Sequence, residues 1–168
     1  MDEWSRIVQQ HGQAVYRSAW RLLGNEADAA DCFQDVFVSA VEISRRTTVR
    51  SWPALLHWLV TVRALDRLRR RLKLAARHED HHAEQLVSPR AGPLEQAQAA
   101  ELAARLRAVL AELPAGQAQA FCLRVLDELS YEQIAQAMGV SVSQVGVLLH
   151  RARARLRERL DVSEVRHE

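Results

Sequence analysis

Apolar residues recur every three or four positions along most of the chain, and this period predicts amphipathic helices. Glycine or proline falls between the periodic stretches, at Gly24, Pro53, Pro114 and Gly139, where it suits a helix end or a helix start. The predicted helices cover residues 3–23, 26–44, 54 onwards, 99–113, 117–129, 131–138 and 142 onwards. The predicted inward face of the second helix consists of Ala30, Phe33, Phe37, Ala40 and Val41.

Residues 129–159 have the pattern of a helix-turn-helix. Two capping boxes, each a serine followed three residues later by a glutamine, predict helix starts at Ser130 and Ser141. Gly139 suits the corner between the helices, and Ala135 is the small residue that a steep crossing requires. The second helix ends in alternate arginines that suit phosphate contact: Arg151, Arg153, Arg155, Arg157 and Arg159. An ordinary helical hairpin with a solvated basic tail is the alternative interpretation.

Composition divides the helices into two groups. Residues 76–98 contain two prolines, a glycine, mixed charges and few large apolar groups, which is typical of a flexible linker. The sequence therefore predicts an all-α protein with two small helical domains, residues 1–75 and 99–168, joined by that linker. The second is predicted to be a four-helix domain ending in the helix-turn-helix. A chain of 168 residues is long enough for two modest cores.

Charge is nearly balanced over the whole chain, with 23 basic and 21 acidic residues and a net charge of +2, but it is segregated along it. The second helix carries an acidic stripe of Asp28, Asp31, Asp35 and Glu42 with no basic residue between them. A basic partner surface would relieve the repulsion within this stripe, and a solvated acidic face is the alternative. The third helix carries a basic stripe that suits phosphate contact: Arg63, Arg67, Arg69, Arg70, Arg71, Lys73 and Arg77.

Two tryptophans accompany the basic stripe. Trp58 lies in the apolar phase of its helix and is expected in the core. Trp52 falls in the loop of residues 45–53 and is the better candidate for stacking on a nucleic-acid base.

Several function classes are disfavoured. No apolar run approaches the roughly 18 residues of a membrane span, and the N-terminus lacks a signal-peptide pattern, so we expect a cytoplasmic protein without membrane insertion. Cys32 and Cys122 lack CxxC spacing and are expected to be buried thiols. His78, His81 and His82 match no defined metal spacing. No phosphate loop, paired catalytic carboxylates or activated nucleophile is evident, so we expect no catalytic residue, cofactor or metal.

Four motifs stand in order around the predicted linker. The first domain contains AADCFQDVF (Ala29–Phe37) and RALDRLRRR (Arg63–Arg71), and the second contains LAELPAGQAQAFCLRVLDELSYEQIAQAMGVSVSQV and HRARARLRERL. Together they resemble the extracytoplasmic-function subfamily of bacterial sigma-70-family factors. The resemblance implies an alternative sigma factor that binds core RNA polymerase, directs it to promoter DNA and is regulated by an anti-sigma protein.

The resemblance also implies three sets of contact residues. Those expected to bind core polymerase are Asp31, Gln34, Asp35 and Phe37. Those expected at the minus-ten promoter element, where an unpaired base is flipped into a pocket, are Trp52, Arg63, Arg67, Arg70 and Arg71. Those expected at the minus-thirty-five element are Ser141, Ser143, Gln144, Val147 and His150 on bases, with Arg151 and Arg153 on phosphates.

Five positions depart from the family's usual residues. Ala30 replaces a glutamate, Val62 an asparagine and Ala118 an arginine, while a lysine and an arginine of the recognition helix are replaced by Gly146 and Leu148. Two other hypotheses stay open. One is a stand-alone helix-turn-helix regulator that dimerises through its N-terminal helices. The other, suggested by Ala118, Gly146 and Leu148, is a sigma-like interaction module with weakened promoter contacts.

Overall fold

The computed structural model describes residues 2–78 and 92–165 of the chain. All regular structure within these residues is helical, which confirms the predicted all-α class. The helices are α1 Glu3–Leu23, α2 Glu26–Arg46, α3 Trp52–His78, α4 Pro93–Glu112, α5 Ala115–Val125, α6 Tyr131–Met138 and α7 Val142–Val165.

Helix boundaries follow local chemistry. Gly24, with φ +72°, ends α1, and the side chain of Asn25 accepts a hydrogen bond from the Asp28 N–H at the start of α2. α3 begins at Trp52, two residues earlier than predicted, because Pro53 is tolerated in a first helical turn. α4 begins at Pro93 for the same reason, inside the predicted linker.

Most of the predicted linker, residues 79–91, lies outside the described residues, as do His81 and His82. The division of the chain into two domains remains a prediction.

α3 is the helix around which the others assemble. It packs against α1, α2, α4, α5 and α6, while α7 packs against α4, α5 and α6. One buried cluster contains side chains from both halves of the chain, among them Val15, Leu56, Leu65, Leu110 and Leu156. A second cluster holds the helix-turn-helix together: Ala120, Leu123, Ile134, Ala135, Val145 and Leu149.

The predicted inward face of α2 was partly wrong: Phe37 and Ala40 are buried as predicted, but the centre of the buried face lies elsewhere. Ala30 is exposed, whereas Ala29, Cys32 and Val36 are fully buried. Phe33 and Phe37 dominated the apolar pattern, but they lie at one edge of the buried face, where their ring centroids are 4.8 Å apart. Small side chains at the centre of this face let α2 approach α1 and α3 closely, and such residues give only a weak hydrophobic signal.

Polar contacts join the two halves of the chain. Arg107 of α4 donates from Nε to the Leu22 carbonyl oxygen at 3.0 Å and from Nη2 to the Arg21 carbonyl oxygen at 3.1 Å. The Asp127 carboxylate, whose side chain is 3% exposed, accepts a hydrogen bond from the Ser18 hydroxyl and lies 3.2 Å from Nδ1 of His57. These contacts place the C-terminal helices against α1 and α3.

Candidate nucleic-acid interface

The helix-turn-helix predicted from the sequence is present. The Ser130 hydroxyl accepts a hydrogen bond from the Gln133 N–H at 3.1 Å, and the Gln133 side chain accepts one from the Ser130 N–H at 2.8 Å. Gly139 ends α6 with φ +68°, a left-handed conformation that favours glycine. Ile134 and Val145 are fully buried between the helices, so α6 holds α7 in a fixed orientation.

The second capping box is also formed, and it engages two residues predicted to contact bases. Gln144 Oε1 accepts from the Ser141 N–H at 2.9 Å, and the Ser141 hydroxyl accepts from the Gln144 N–H at 3.1 Å. The acceptor oxygen of Gln144 is therefore already used at the start of α7. A paired donor and acceptor contact of Gln144 with adenine would have to share this oxygen, through its second lone pair, with the capping box.

The outward face of α7 is open to solvent. Of the seven residues predicted at the minus-thirty-five element, six are exposed: Ser141, Ser143, Gln144, Val147, His150 and Arg151. Arg153 is half-buried. An accessible helix of this kind fits the major groove of duplex DNA.

Two departures from the family pattern have different structural settings. Leu148 packs against α5, where its Cδ2 lies 3.5 Å from the position that a Cβ on Gly116 would occupy. At Gly146, by contrast, the nearest heavy atom of another helix among the described residues is Cε2 of Tyr131, 3.9 Å from such a Cβ. The fold therefore accommodates a side chain at position 146 and does not require glycine there. Ala118 is fully buried, which leaves no room at that position for an arginine.

The residues predicted to bind core polymerase divide into two groups on α2. Asp31, Gln34 and Asp35 are exposed on one face, whereas Phe37 is only 9% exposed and packs into the core. Val38, which is 59% exposed, lies on the same face as the three polar residues. Sequence reasoning missed Val38, although its spacing from Asp31 and Gln34 is that of one helical face.

The basic stripe of α3 contacts α1 and α2 through several of its arginines. Arg67 hydrogen-bonds to Asp35, and this bond raises the pKa of the Arg67 guanidinium. Arg71 donates to the Leu23 carbonyl oxygen at 2.7 Å and to the Asp28 carboxylate at 3.0 Å. The two alternatives for the acidic stripe, an external basic partner or a solvated face, both omitted a contact within the chain. α2 and α3 are neighbours and compensate part of each other's charge.

Two of the other minus-ten candidates remain on the surface. Arg63 is exposed and donates to the Ser39 hydroxyl at 3.0 Å. Arg70 is also exposed. Trp52 is half-buried at the first position of α3, with its ring 5.2 Å from that of Trp4 in an edge-on arrangement. Residues 47–51 line a cavity of about 330 Å³ that Gln136 and Ala137 of α6 close on one side.

The cysteines have the environment of core residues. Burial raises the pKa of the Cys32 thiol to about 11 and raises that of Cys122 further. Neither thiol is activated as a nucleophile. Among the described residues, no group of His, Cys, Asp and Glu side chains has the arrangement of a metal site. No helix within the described ranges is long and apolar enough to cross a membrane.

Two family models match the chain, one to each half. "Sigma-70 region 2" matches residues 7–73, and "Sigma-70, region 4" matches residues 103–156. The first match contains the acidic and basic helices, and the second contains the helix-turn-helix.

Two bacterial sigma factors are similar in sequence to nearly the whole chain. An extracytoplasmic-function RNA polymerase sigma factor, SigE, from Mycolicibacterium smegmatis is 33% identical over 95% of this chain and 62% of its own length. The chain thus spans less than two thirds of that protein. The RNA polymerase sigma-E factor of Streptomyces avermitilis is 30% identical, over 95% of this chain and 86% of its own length.

Solved structures have the same fold. CnrH, in complex with the cytosolic domain of CnrY, superposes with a TM-score of 0.60 at 27% identity, covering 95% of this chain and 88% of its own. The sigma factor RpoE of Bartonella quintana, in complex with the anti-sigma factor NepR, also gives 0.60, at 20% identity, covering 96% of this chain and 99% of its own.

Proposed function

Because the chain belongs to the extracytoplasmic-function subfamily of sigma-70-family sigma factors, we propose that it binds core RNA polymerase and directs promoter-specific initiation of transcription. The observation that carries the proposal is the order of the two family matches, with an exposed recognition helix in the second. A sigma factor is not itself an enzyme. Its place of action is with the polymerase and the DNA, in the cytoplasm.

Residues 1–75 form the proposed region for polymerase binding and minus-ten recognition, residues 76–98 the linker, and residues 99–168 the region for minus-thirty-five recognition. The exposed face of α2, with Asp31, Gln34, Asp35 and Val38, supports docking on a basic surface of the polymerase. Phe37 would support this face from within the core rather than contact the polymerase itself.

The basic helix α3 is the proposed element for opening the minus-ten duplex. Arg63 and Arg70 would hold phosphates of the separated strand, and the exposure of both residues supports this role. Arg67 and Arg71 are already engaged with α1 and α2, so their contact with DNA would require an exchange of partners. Trp52 is half-buried beside Trp4, so only part of its ring would be open to stacking.

An anti-sigma protein is the proposed regulator. RpoE was solved with the anti-sigma factor NepR, and CnrH with the cytosolic domain of CnrY. The similarity of this chain to both supports a partner of the same kind.

The test is transcription with purified core polymerase that lacks any other sigma factor. The chain is expected to bind core and to produce defined start sites in a genome-wide run-off assay. Arg70→Ala is expected to reduce promoter opening, read by permanganate reactivity, while core binding stays unchanged. Arg6→Ala, which removes another exposed arginine, is the control. If the chain neither binds core nor yields specific starts, the proposed function is wrong, and equal loss of opening and core binding in Arg70→Ala would contradict the role of α3.

A further inference from the structure

The first two turns of the recognition helix keep hydroxyl and amide donors, but part of their acceptor capacity is already engaged. The capping box uses the acceptor oxygens of Ser141 and Gln144, and Gly146 has no side chain. Val147 is nevertheless 48% exposed on the outward face, between Ser143 one turn before it and His150 one turn after it. The centre of the surface that faces DNA in a helix-turn-helix is therefore apolar.

The major groove offers one apolar group to such a surface. Thymine presents its C5-methyl group there, and aliphatic side chains recognise it by contact. Guanine and adenine are read by side chains that donate hydrogen bonds, and valine has none to give. Arg151, one turn beyond Val147, and Arg155, one turn further, are exposed and supply the positive charge that would hold the helix against phosphates.

Gly146 supports a close approach at this point. A glycine inside a helix costs about 1 kcal/mol relative to alanine. The described residues do not require glycine here, since the nearest atom of another helix to a Cβ at this position is on Tyr131, at 3.9 Å. A helix without a side chain at this position can approach another molecule more closely.

We propose that Val147 is a specificity-determining residue that packs against the methyl group of a thymine in the minus-thirty-five element. The proposal rests on the proposed function, because it assigns a base to a helix already argued to enter the major groove. At positions 146–148 this chain has glycine, valine and leucine, whereas the residues usual in the family are polar.

The test compares thymine with deoxyuridine, which lacks only the methyl group. The probe is the duplex enriched from a randomised library by holoenzyme assembled from core polymerase and the full-length chain. Each thymine of its upstream element is replaced in turn by deoxyuridine, and binding of the holoenzyme is measured at one fixed salt concentration. One replacement is expected to weaken binding by the wild type roughly threefold to fivefold, the effect of one buried methyl group. Val147→Ser is expected to bind both duplexes equally.

Val142→Ala is the matched control, because Val142 is a second exposed valine of the same helix, 43% exposed at its first position. This variant is expected to keep the wild-type sensitivity to the methyl group. The inference is overturned if no thymine of the enriched element is sensitive to methyl removal, or if Val147→Ser keeps the sensitivity of the wild type. If no sequence is enriched at all, the proposed function fails and the assignment of Val147 fails with it.

Discussion

Arg107 is the side chain whose removal should most weaken the junction between the two halves of the chain. It is 8% exposed, and its guanidinium bridges two carbonyl oxygens at the C-terminal end of α1. Gly24 makes room for it, because a Cβ there would lie 2.9 Å from Cζ of Arg107. The positive charge also sits where the dipole of α1 is negative.

The expected cost of Arg107→Ala is about 3 kcal/mol of unfolding free energy. A hydrogen bond from a charged donor contributes roughly 1.5–3 kcal/mol, and two such bonds are lost. The lower end of this range applies. Burial, together with nearby Arg71, lowers the pKa of Arg107, because both disfavour its charged form and so offset part of the stabilisation from the two hydrogen bonds. For a chain of this length the change corresponds to roughly 6–12 °C in Tm.

Urea unfolding followed by circular dichroism measures this difference. Arg107→Lys keeps the charge but lacks the rigid Nε and Nη2 pair that donates to the two oxygens, so about half of the loss is expected. Arg157→Ala is the control, since Arg157 is exposed on α7 and its removal should change the unfolding free energy by less than about 0.5 kcal/mol. If Arg107→Ala behaves like this control, or if lysine restores full stability, the bridging role assigned to Arg107 is refuted.

Three further predictions test other parts of the structure: two glycine positions, Glu128 and the two cysteines. Gly146→Ala should raise the unfolding free energy by about 1 kcal/mol, whereas Gly139→Ala should lower it, since Gly139 has φ +68°; equal effects would contradict the helix-turn-helix geometry. Glu128→Gly should stabilise by about 0.5–1 kcal/mol, because Glu128 has φ +56°, and a loss in urea unfolding would count against this. Cys32 and Cys122 should react with Ellman's reagent at pH 8 only after unfolding. Because the folded pKa of Cys32 is about 11 against 9.0 for an unburied thiol, its contribution to stability should fall as pH rises above 9.

The helix-turn-helix was predictable because its signals are local. Each capping box joins residues three positions apart, and Gly139 supplies a conformation that few other residues adopt. The start of α7 therefore follows from its neighbours in the sequence, independent of the rest of the fold. The second capping box has two consequences. It located the start of α7 in the sequence, and it also engages the side-chain oxygen of Gln144 that a base contact would need.

The junction between the halves was not predictable in this way. Arg69 and Arg107 look like surface residues in the sequence, yet each donates to main-chain oxygens of a distant helix. Arg69 reaches the carbonyl oxygens of Ala111 and Leu113, more than 40 positions away. No periodicity identifies such partners, because a main-chain oxygen is present at every residue and only the packing of the helices selects one.

The charged stripes show most clearly what a one-dimensional pattern omits. Each stripe alone indicates an external partner of opposite charge, but α2 and α3 lie side by side and the bonds of Arg67 to Asp35 and Arg71 to Asp28 satisfy part of both. Loss of promoter opening on removing Arg71 would therefore combine weaker DNA contact with a weaker junction between α1 and α3. Arg70, which is exposed and, within residues 2–78 and 92–165, bonds at 3.5 Å to a carbonyl oxygen of its own helix, separates the two effects. A selective defect in Arg70→Ala would thus identify the surface of α3 that is left for DNA.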